Sequence, residues 1–186
     1  MRLFFLRHAG AYSREEWSGS EADRPLTDRG RAEMRLIADG LAALDLKVDL
    51  AITSPFARAA ETARMAAETL KVPLEEAHEL VPGATLGGLL RVLQAHEDVS
   101  RVLLVGHEPD FSRMIGELIA APHPASLALK KAGCARVDVP SRLVERAVGA
   151  NDLFGRGTLE WLLTPRQLIR TGGHHPLAAD TESETK

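Results

Sequence analysis

Two arginines and two histidines of this chain each follow closely on a short apolar run: Arg7, His8, Arg58 and His107. Arginine is planar and permanently charged, and it binds phosphate oxygens through several N–H donors at once. A neutral imidazole can act as a nucleophile near neutral pH. A second imidazole can hydrogen-bond a phosphoryl oxygen and stabilise charge as the group transfers. Together these residue types indicate phosphoryl-transfer chemistry, if the fold brings them to one place.

The apolar runs are the elements that would position these side chains. Residues 2–7, 49–53 and 101–105 are short and mostly apolar, which is typical of strands buried on both faces of a sheet. In open α/β sheets the ligand crevice lies outside the carboxyl ends of the strands. If these strands are parallel neighbours, the four side chains converge there, and the N-termini of the helices that follow Ser54 and His107 favour an anion.

The rest of the pattern alternates helices with strands and then adds strands late in the chain. Residues 11–25 are polar and irregular, which predicts a loop. Thr27 suits a helix N-cap, and Ser54-Pro55 is a start signal for the next helix. We predict helices at 28–44, 55–70, 86–96 and 110–120, and short strands at 134–139, 143–148 and 157–163. This order favours an α/β fold, a three-layer α/β/α sandwich whose mostly parallel sheet has an antiparallel addition.

Composition and length limit the broad class of protein. The 186 residues are 45% hydrophobic and 26% charged with a net charge of −3, which is typical of a globular protein and unlike a general nucleic-acid binder. We predict one domain over residues 1–171 and a disordered tail over 172–186. The lone Cys134 excludes an intrachain disulfide and favours a reducing, cytoplasmic location. No apolar run approaches the roughly 20 residues of a transmembrane helix, so no membrane partner is expected.

Four motifs, in order, resemble the histidine phosphatase superfamily, whose fold is phosphoglycerate mutase-like. They are LRHA at 6–9, PLTDRG at 25–30, TSPFARAAETA at 53–63 and LLVGHEP at 103–109. The compact length and the ending GTLEWLLTPRQL at 157–168 are most similar to bacterial phosphohistidine phosphatases of the SixA type. The resemblance implies that residues 1–171 form a single histidine phosphatase domain.

The resemblance also implies roles for the four pocket residues. His8 would be the nucleophile and would become a phosphohistidine, which water then hydrolyses. Arg7, Arg58 and His107 would hold the phosphoryl oxygens. No cofactor and no metal ion is expected, because the arginines and a histidine can stabilise the charge.

The proton donor for the leaving group is harder to identify. Many members of the superfamily have a glutamate in an insertion between the second arginine and the second histidine. Here only 48 residues, 59 through 106, separate Arg58 from His107. Glu79 is the nearest candidate, and an exposed structural carboxylate is the alternative interpretation. Glu108 and Asp110 are weaker candidates, because both suit a helix N-terminus.

Three functions stay open. The first is a metal-independent phosphatase acting on phosphohistidine in a signalling protein. The imidazole of a phosphohistidine leaves readily once its ring is protonated, so this substrate suits a site without a clear general acid or a lid. The second is a broad-specificity phosphomonoesterase acting on small phosphorylated metabolites; a phosphoglycerate mutase is disfavoured by the short chain. The third is a phosphate-binding module without turnover, against which the presence of all four pocket residues counts.

Overall fold

A computed structural model describes residues 1–120 and 127–175 of the chain. Six strands form one sheet, and helices cover both of its faces. The strands are β1 (Arg2–Arg7), β2 (Leu50–Thr53), β3 (Leu74–Glu76), β4 (Arg101–Gly106), β5 (Cys134–Asp138) and β6 (Thr158–Leu163). The α-helices are α1 (Asp28–Ala43), α2 (Ala57–Leu70), α3 (Leu86–Gln94), α4 (Asp110–Ile119), α5 (Ser141–Arg146) and α6 (Pro165–Thr171). Short 3-10 helices span His78–Leu80 and Ala150–Leu153.

The sheet has the strand order β3-β2-β4-β1-β5-β6. The first four strands in this order are parallel, and β5 and β6 extend one edge through antiparallel pairings of β5 with β1 and of β6 with β5. The three strands that precede the pocket residues are therefore adjacent, in the order β2-β4-β1. The register pairs Arg7 with Gly106 and Thr53 with Val105, so that these strands end at the same level. The fold prediction of a mostly parallel sheet with an antiparallel addition is confirmed.

Two apolar cores lie on opposite faces of the sheet. Alternate residues of β1 point into different cores, since Leu3 and Phe5 pack on one face and Phe4 and Leu6 on the other. The first core includes α3, α4 and α5, and the second includes α1, α2 and α6. A strand covered on both faces must be apolar throughout, which is why the continuous run at residues 3–6 predicts β1 correctly.

Two local predictions are wrong, and one helix was missed. The helix expected from residue 55 begins at Ala57, because the backbone of Phe56 is extended and Phe56 is the N-cap residue. The segment 143–148, expected as a strand, is largely helix α5, which begins after Pro140 and buries only Val144. Helix α6 was not expected, although it begins with a capping box in which Thr164 and Gln167 satisfy each other's backbone N–H groups.

The predicted tail, 172–186, lies for the most part outside the described residues. Within the described part, His174 contacts the Asp39 carboxylate at 3.1 Å, and its backbone N–H bonds to the Ile169 carbonyl. Residues 176–186 are not described, so the single-domain boundary at 171 stays a prediction. Among the described helices, none has both the length and the apolar character to cross a membrane.

Candidate active site

The carboxyl ends of β1, β4 and β2 form one edge of a cavity of about 650 Å³. All four predicted pocket residues line this cavity: Arg7, His8, Arg58 and His107. Backbone hydrogen bonds continue the sheet by one residue here, from His8 N to the Gly106 carbonyl and from Ser54 N to the Val105 carbonyl, both 3.0 Å. A separate cavity of about 530 Å³ between α1 and α2 contains none of the four.

His8 is held in one tautomer by its own turn. Its Nδ1 lies 2.8 Å from the Ala9 carbonyl oxygen, which can only accept, so Nδ1 carries the hydrogen. The side chain is buried, with 8% of the residue exposed. Burial, together with the nearby Arg58 and Arg7 charges, lowers the pKa of His8 to about 4 against the opposing effect of the Ala9 bond. His8 is therefore neutral at physiological pH, and Nε2 has a free lone pair.

His107 faces His8 across the cavity, with the ring centroids 5.4 Å apart. Its Nε2 lies 2.9 Å from Ser54 Oγ. Because Ser54 Oγ also accepts from the Phe56 N–H at 3.3 Å, the serine hydrogen is free to donate to Nε2. Burial, together with the nearby Arg58 charge, lowers the pKa of His107 to about 3. The Nδ1 atom is buried and has no hydrogen-bond partner among the described residues.

The two arginines approach the cavity from different elements. Arg7, at the end of β1, donates from Nη1 to the Leu129 carbonyl at 3.0 Å. Arg58, in the first turn of α2, lies with its guanidinium 5.2 Å from the centre of the Phe56 ring. In both residues Nε is buried and unpartnered within the described chain. Burial lowers the pKa of each guanidinium, but arginine stays charged at physiological pH.

Thr62 connects the nucleophile candidate to the second arginine. This side chain of α2 is completely buried. Its Oγ1 accepts from the Ala9 N–H at 3.0 Å and donates to the Arg58 carbonyl at 2.7 Å. The turn after His8 and the start of α2 are therefore fixed relative to each other through one hydroxyl group.

The three candidate carboxylates lie in different surroundings. Glu79, the nearest candidate by sequence, is not among the residues that line the cavity. Its Cβ atom lies beside Gly88 of α3. Glu108 does line the cavity. Its Oε1 is buried without a partner in the described residues, and burial raises the pKa of this carboxyl against the opposing effects of Ser112 and Arg7. Asp110 accepts hydrogen bonds from Gly83 N and from Arg113, both at 2.7 Å. Both of its carboxylate oxygens are therefore engaged in contacts within the fold.

Sequence reasoning missed Ser54 and Thr62. Ser54 resembles an ordinary helix cap, and Thr62 resembles an ordinary helix residue. A signal for Ser54 exists, since it directly follows β2 just as His8 and His107 directly follow β1 and β4. No local signal marks Thr62, because its role depends on a contact with Ala9, which is distant in sequence.

Comparison with known proteins agrees with the fold. Residues 3–81 match the family model of the histidine phosphatase superfamily, branch 1. The chain belongs to this superfamily, and its members act on phosphorylated substrates.

Individual relatives align over nearly their whole lengths. An uncharacterized protein of Picosynechococcus sp. is 32% identical over 166 residues, which cover 88% of this chain and 99% of the relative. The phosphohistidine phosphatase SixA of Escherichia coli is 29% identical over 174 residues, covering 90% of this chain and 96% of that protein. Among solved structures, the protein histidine phosphatase SixA complexed with tungstate superposes with a TM-score of 0.72 at 28% identity, covering 89% of this chain and 97% of that one. The superfamily and the similarity to SixA support a phosphatase.

Proposed function

We propose that this protein is a metal-independent phosphatase that removes the phosphoryl group from phosphohistidine in a signalling protein, using His8 as its nucleophile. The observation that carries the proposal is the hydrogen bond from His8 Nδ1 to the Ala9 carbonyl, 2.8 Å long. This bond leaves the lone pair of Nε2 free in a buried ring that stays neutral at physiological pH.

A clamp for the phosphoryl oxygens supports the same chemistry. The buried Nε–H groups of Arg7 and Arg58 lack partners in the described chain, as does Nδ1 of His107. If Ser54 donates to Nε2 of His107, then Nδ1 has a hydrogen to donate. A dianionic phosphoryl group would satisfy all three donors, and such preorganised donors are usually the largest contribution to catalysis.

The proposed reaction has two steps. First, the His8 Nε2 lone pair forms a bond to phosphorus, the P–N bond of the substrate breaks, and its electron pair stays on the leaving imidazole nitrogen, which takes a proton. Second, a water oxygen attacks phosphorus, the Nε2–P bond breaks, and that electron pair returns to Nε2. The proton that the water loses replaces the one given to the leaving group, so histidine and phosphate are released and the protein is regenerated.

We assign the proton transfers to Glu108 rather than to Glu79. Glu108 lines the cavity and Glu79 does not. A raised pKa suits a carboxyl group that must donate a proton near neutral pH. Glu108→Gln keeps the size of the side chain but cannot exchange the proton, so it should slow hydrolysis of phosphoesters more than hydrolysis of phosphoramidates.

The preference for a protein-bound phosphohistidine is supported by the open mouth of the cavity. Of residues 59–106, all of which are described, only Pro82 lines the cavity, so this segment provides no covering insertion. The similarity to SixA, which is named a phosphohistidine phosphatase, points the same way.

A paired hydrolysis assay tests the proposal. One substrate is a phosphohistidine protein or phosphoramidate, and the other is p-nitrophenyl phosphate together with simple sugar phosphates. We expect a strong preference for the P–N bond, complete loss of turnover in His8→Ala, inhibition by vanadate and no inhibition by EDTA. Comparable turnover of phosphoesters would instead favour a small-molecule phosphomonoesterase, and phosphate binding without any turnover would favour a binding module.

A further inference from the structure

Glu21 is an acidic residue that lines the cavity. Its charge is unexpected there, because the proposed function requires this cavity to bind an anionic phosphoryl group. Glu21 belongs to the 11–25 loop. Arg58 Nη1 donates to the Glu21 carbonyl at 2.9 Å, and Arg58 Nη2 lies 3.2 Å from Glu21 Oε1. One residue therefore holds both terminal nitrogens of the buried guanidinium. A guanidinium has five N–H donors, so the Nε–H and one N–H on each terminal nitrogen remain for another acceptor.

The same carboxylate fastens the loop. Arg24 Nε donates to Glu21 Oε2 at 3.0 Å and Arg24 Nη2 donates to Oε1 at 2.7 Å, which is a bidentate pair. Arg24 also donates from Nη1 to the Tyr12 carbonyl. The backbone makes a further link, from Ala57 N to the Ala22 carbonyl at 2.8 Å. The loop, the first turn of α2 and the guanidinium of Arg58 are thus one connected unit centred on Glu21.

Electrostatics gives the carboxylate a second effect. The Arg58 side chain is only 4% exposed, and Arg24 is a like charge beside it. Glu21 offsets this repulsion, because its negative charge lies between the two guanidinium groups. Without the Glu21 side chain, Arg58 would keep the backbone carbonyl but lose the carboxylate as a fixed acceptor, and the repulsion by Arg24 would no longer be offset.

We propose that Glu21 is a positioning residue, which fixes the guanidinium of Arg58 in the orientation that presents its remaining N–H donors to the transferring phosphoryl group. The proposal deepens the proposed function and rests on it. Glu21 does not itself touch the reacting atoms, and its negative charge weakens anion binding in the ground state. Its contribution is therefore to the transition state, which requires accurate placement of the donors.

The distinguishing result is a separation of kcat from phosphate affinity. In Glu21→Ala, kcat should fall by about tenfold to a hundredfold, the range expected when a catalytic group is displaced by about 1 Å. The inhibition constant of inorganic phosphate should stay the same or decrease, because a negative charge has been removed from the cavity. A loop that merely collapses would weaken phosphate binding together with kcat.

Two further variants make the comparison sharp. Asp23→Asn removes one negative charge from the same loop, and Asp23 contacts Ser20 and neither lines the cavity nor touches Arg58, so its kcat should match the parent. Glu21→Gln keeps an amide oxygen for Arg58 Nη2 and should recover part of the lost kcat. If Glu21→Ala does not fold, Glu21→Gln alone tests the proposal. The expected result is then a kcat below that of the parent with a phosphate affinity that is not weaker.

A readout independent of turnover separates this proposal from the proposed function. The Nε–H resonance of Arg58, identified by its loss in Arg58→Lys, should be a sharp, slowly exchanging NMR signal in the parent and in Asp23→Asn. It should broaden or move in Glu21→Ala. If the parent hydrolyses no substrate, the proposed function fails and the NMR comparison still decides the role of Glu21. An unchanged Arg58 signal, an unchanged kcat, or a parallel loss of kcat and phosphate affinity in Glu21→Ala would overturn the proposal.

Discussion

At the scale of single residues, the account depends on donors that are buried and fixed before a phosphoryl group arrives. Arg58 and His107 are the most enclosed of them, each with 3% of the residue exposed. Such a donor loses little by reorganisation during the reaction, since its desolvation has already occurred on folding. The corresponding cost is that one buried and one partly buried guanidinium group must be held close to two neutral histidines. Neighbours such as Ser54, Thr62 and Glu21 hold them.

Removal of the Arg58 guanidinium should therefore cost catalysis directly. Arg58→Ala is expected to lose roughly 2 kcal/mol or more of transition-state stabilisation, as for other charge clamps, which is about thirtyfold or more in kcat/KM. Steady-state kinetics with a phosphoramidate checks this value. A near-normal rate would mean that Arg58 is not part of the clamp.

Ser54 gives a finer test at the same scale. Its hydroxyl group lies 2.9 Å from His107 Nε2, so Ser54→Ala leaves the ring without its fixed partner. The loss of one hydrogen bond of this kind is worth on the order of 1 kcal/mol, and we expect kcat/KM to fall by about fivefold to tenfold. Ser54→Thr keeps the hydroxyl group and should recover most of the rate; equal rates in Ser54→Ala and the parent would contradict the assigned contact.

At the scale of elements, close backbone contacts seat the helices against the site and against each other. A Cβ atom built on Gly30 of α1 would lie 1.9 Å from the Gly10 carbonyl oxygen, just after His8 and Ala9. A Cβ on Gly40, in the same helix, would lie 2.0 Å from the Leu168 carbonyl oxygen of α6. Neither contact can persist without movement of the backbone.

These two glycines form a matched pair of substitutions. Gly30→Ala and Gly40→Ala should each lower the free energy of unfolding by about 1–3 kcal/mol through overpacking. Only Gly30→Ala should also lower kcat, because it displaces the turn that carries the Ala9 carbonyl. Urea unfolding and kinetics on both variants check this, and equal losses of kcat in the two would refute the link between α1 and the His8 turn.

Some of the elements could be predicted from the sequence, and others could not. Strands β1, β2 and β4 could be predicted because burial on both faces imposes continuous apolar runs, and their carboxyl ends identify the edge where Arg7, His8, Arg58 and His107 meet. The segment 143–148 misleads because its apolar residues suit either a strand or a helix. Tertiary contacts favour the helix, since Gln94 Nε2 donates to the carbonyls of Val144, in the last turn of α5, and of Ala147, which directly follows it.

Other parts of the site could not be predicted from sequence. The choice between Glu79 and Glu108 depends on which carboxylate faces the cavity, and this is a property of the packed fold. Glu21 lies in a polar, irregular loop where charged residues are common, so nothing local distinguishes it. Helix α6 is different, because the Thr164–Gln167 capping box in the sequence indicates a helix start directly after strand β6.

At the scale of the whole molecule, the buried histidines link the site to folding stability. The pKa of His8 is about 4 and that of His107 about 3, against 6.5 for an exposed histidine. Above pH 6.5 both are neutral in the folded and unfolded chains. As the pH falls below 6.5, the unfolded chain takes up protons that the folded chain does not, so the folded state loses stability. His96, whose pKa is raised by the Val92 carbonyl and by Glu75, acts in the opposite direction.

This linkage predicts a loss of stability between pH 6.5 and pH 4. Each of the two histidines contributes up to about 1.4 kcal/mol per pH unit. Urea unfolding of the parent and of His107→Asn across this range, in phosphate-free buffer, measures the contribution. The decline should be shallower in His107→Asn, and identical slopes would show that His107 is not neutral and buried in the folded protein.

The central claim concerns a covalent bond at one atom, Nε2 of His8. Rapid quenching of the protein during turnover of a phosphoramidate, followed by peptide mass spectrometry under alkaline conditions, tests it most directly. The account predicts an acid-labile, alkali-stable phosphoryl group on the peptide that contains His8, present at early times, and absent from His8→Ala. Full turnover without any phosphorylated His8, or turnover that persists in His8→Ala, would contradict it.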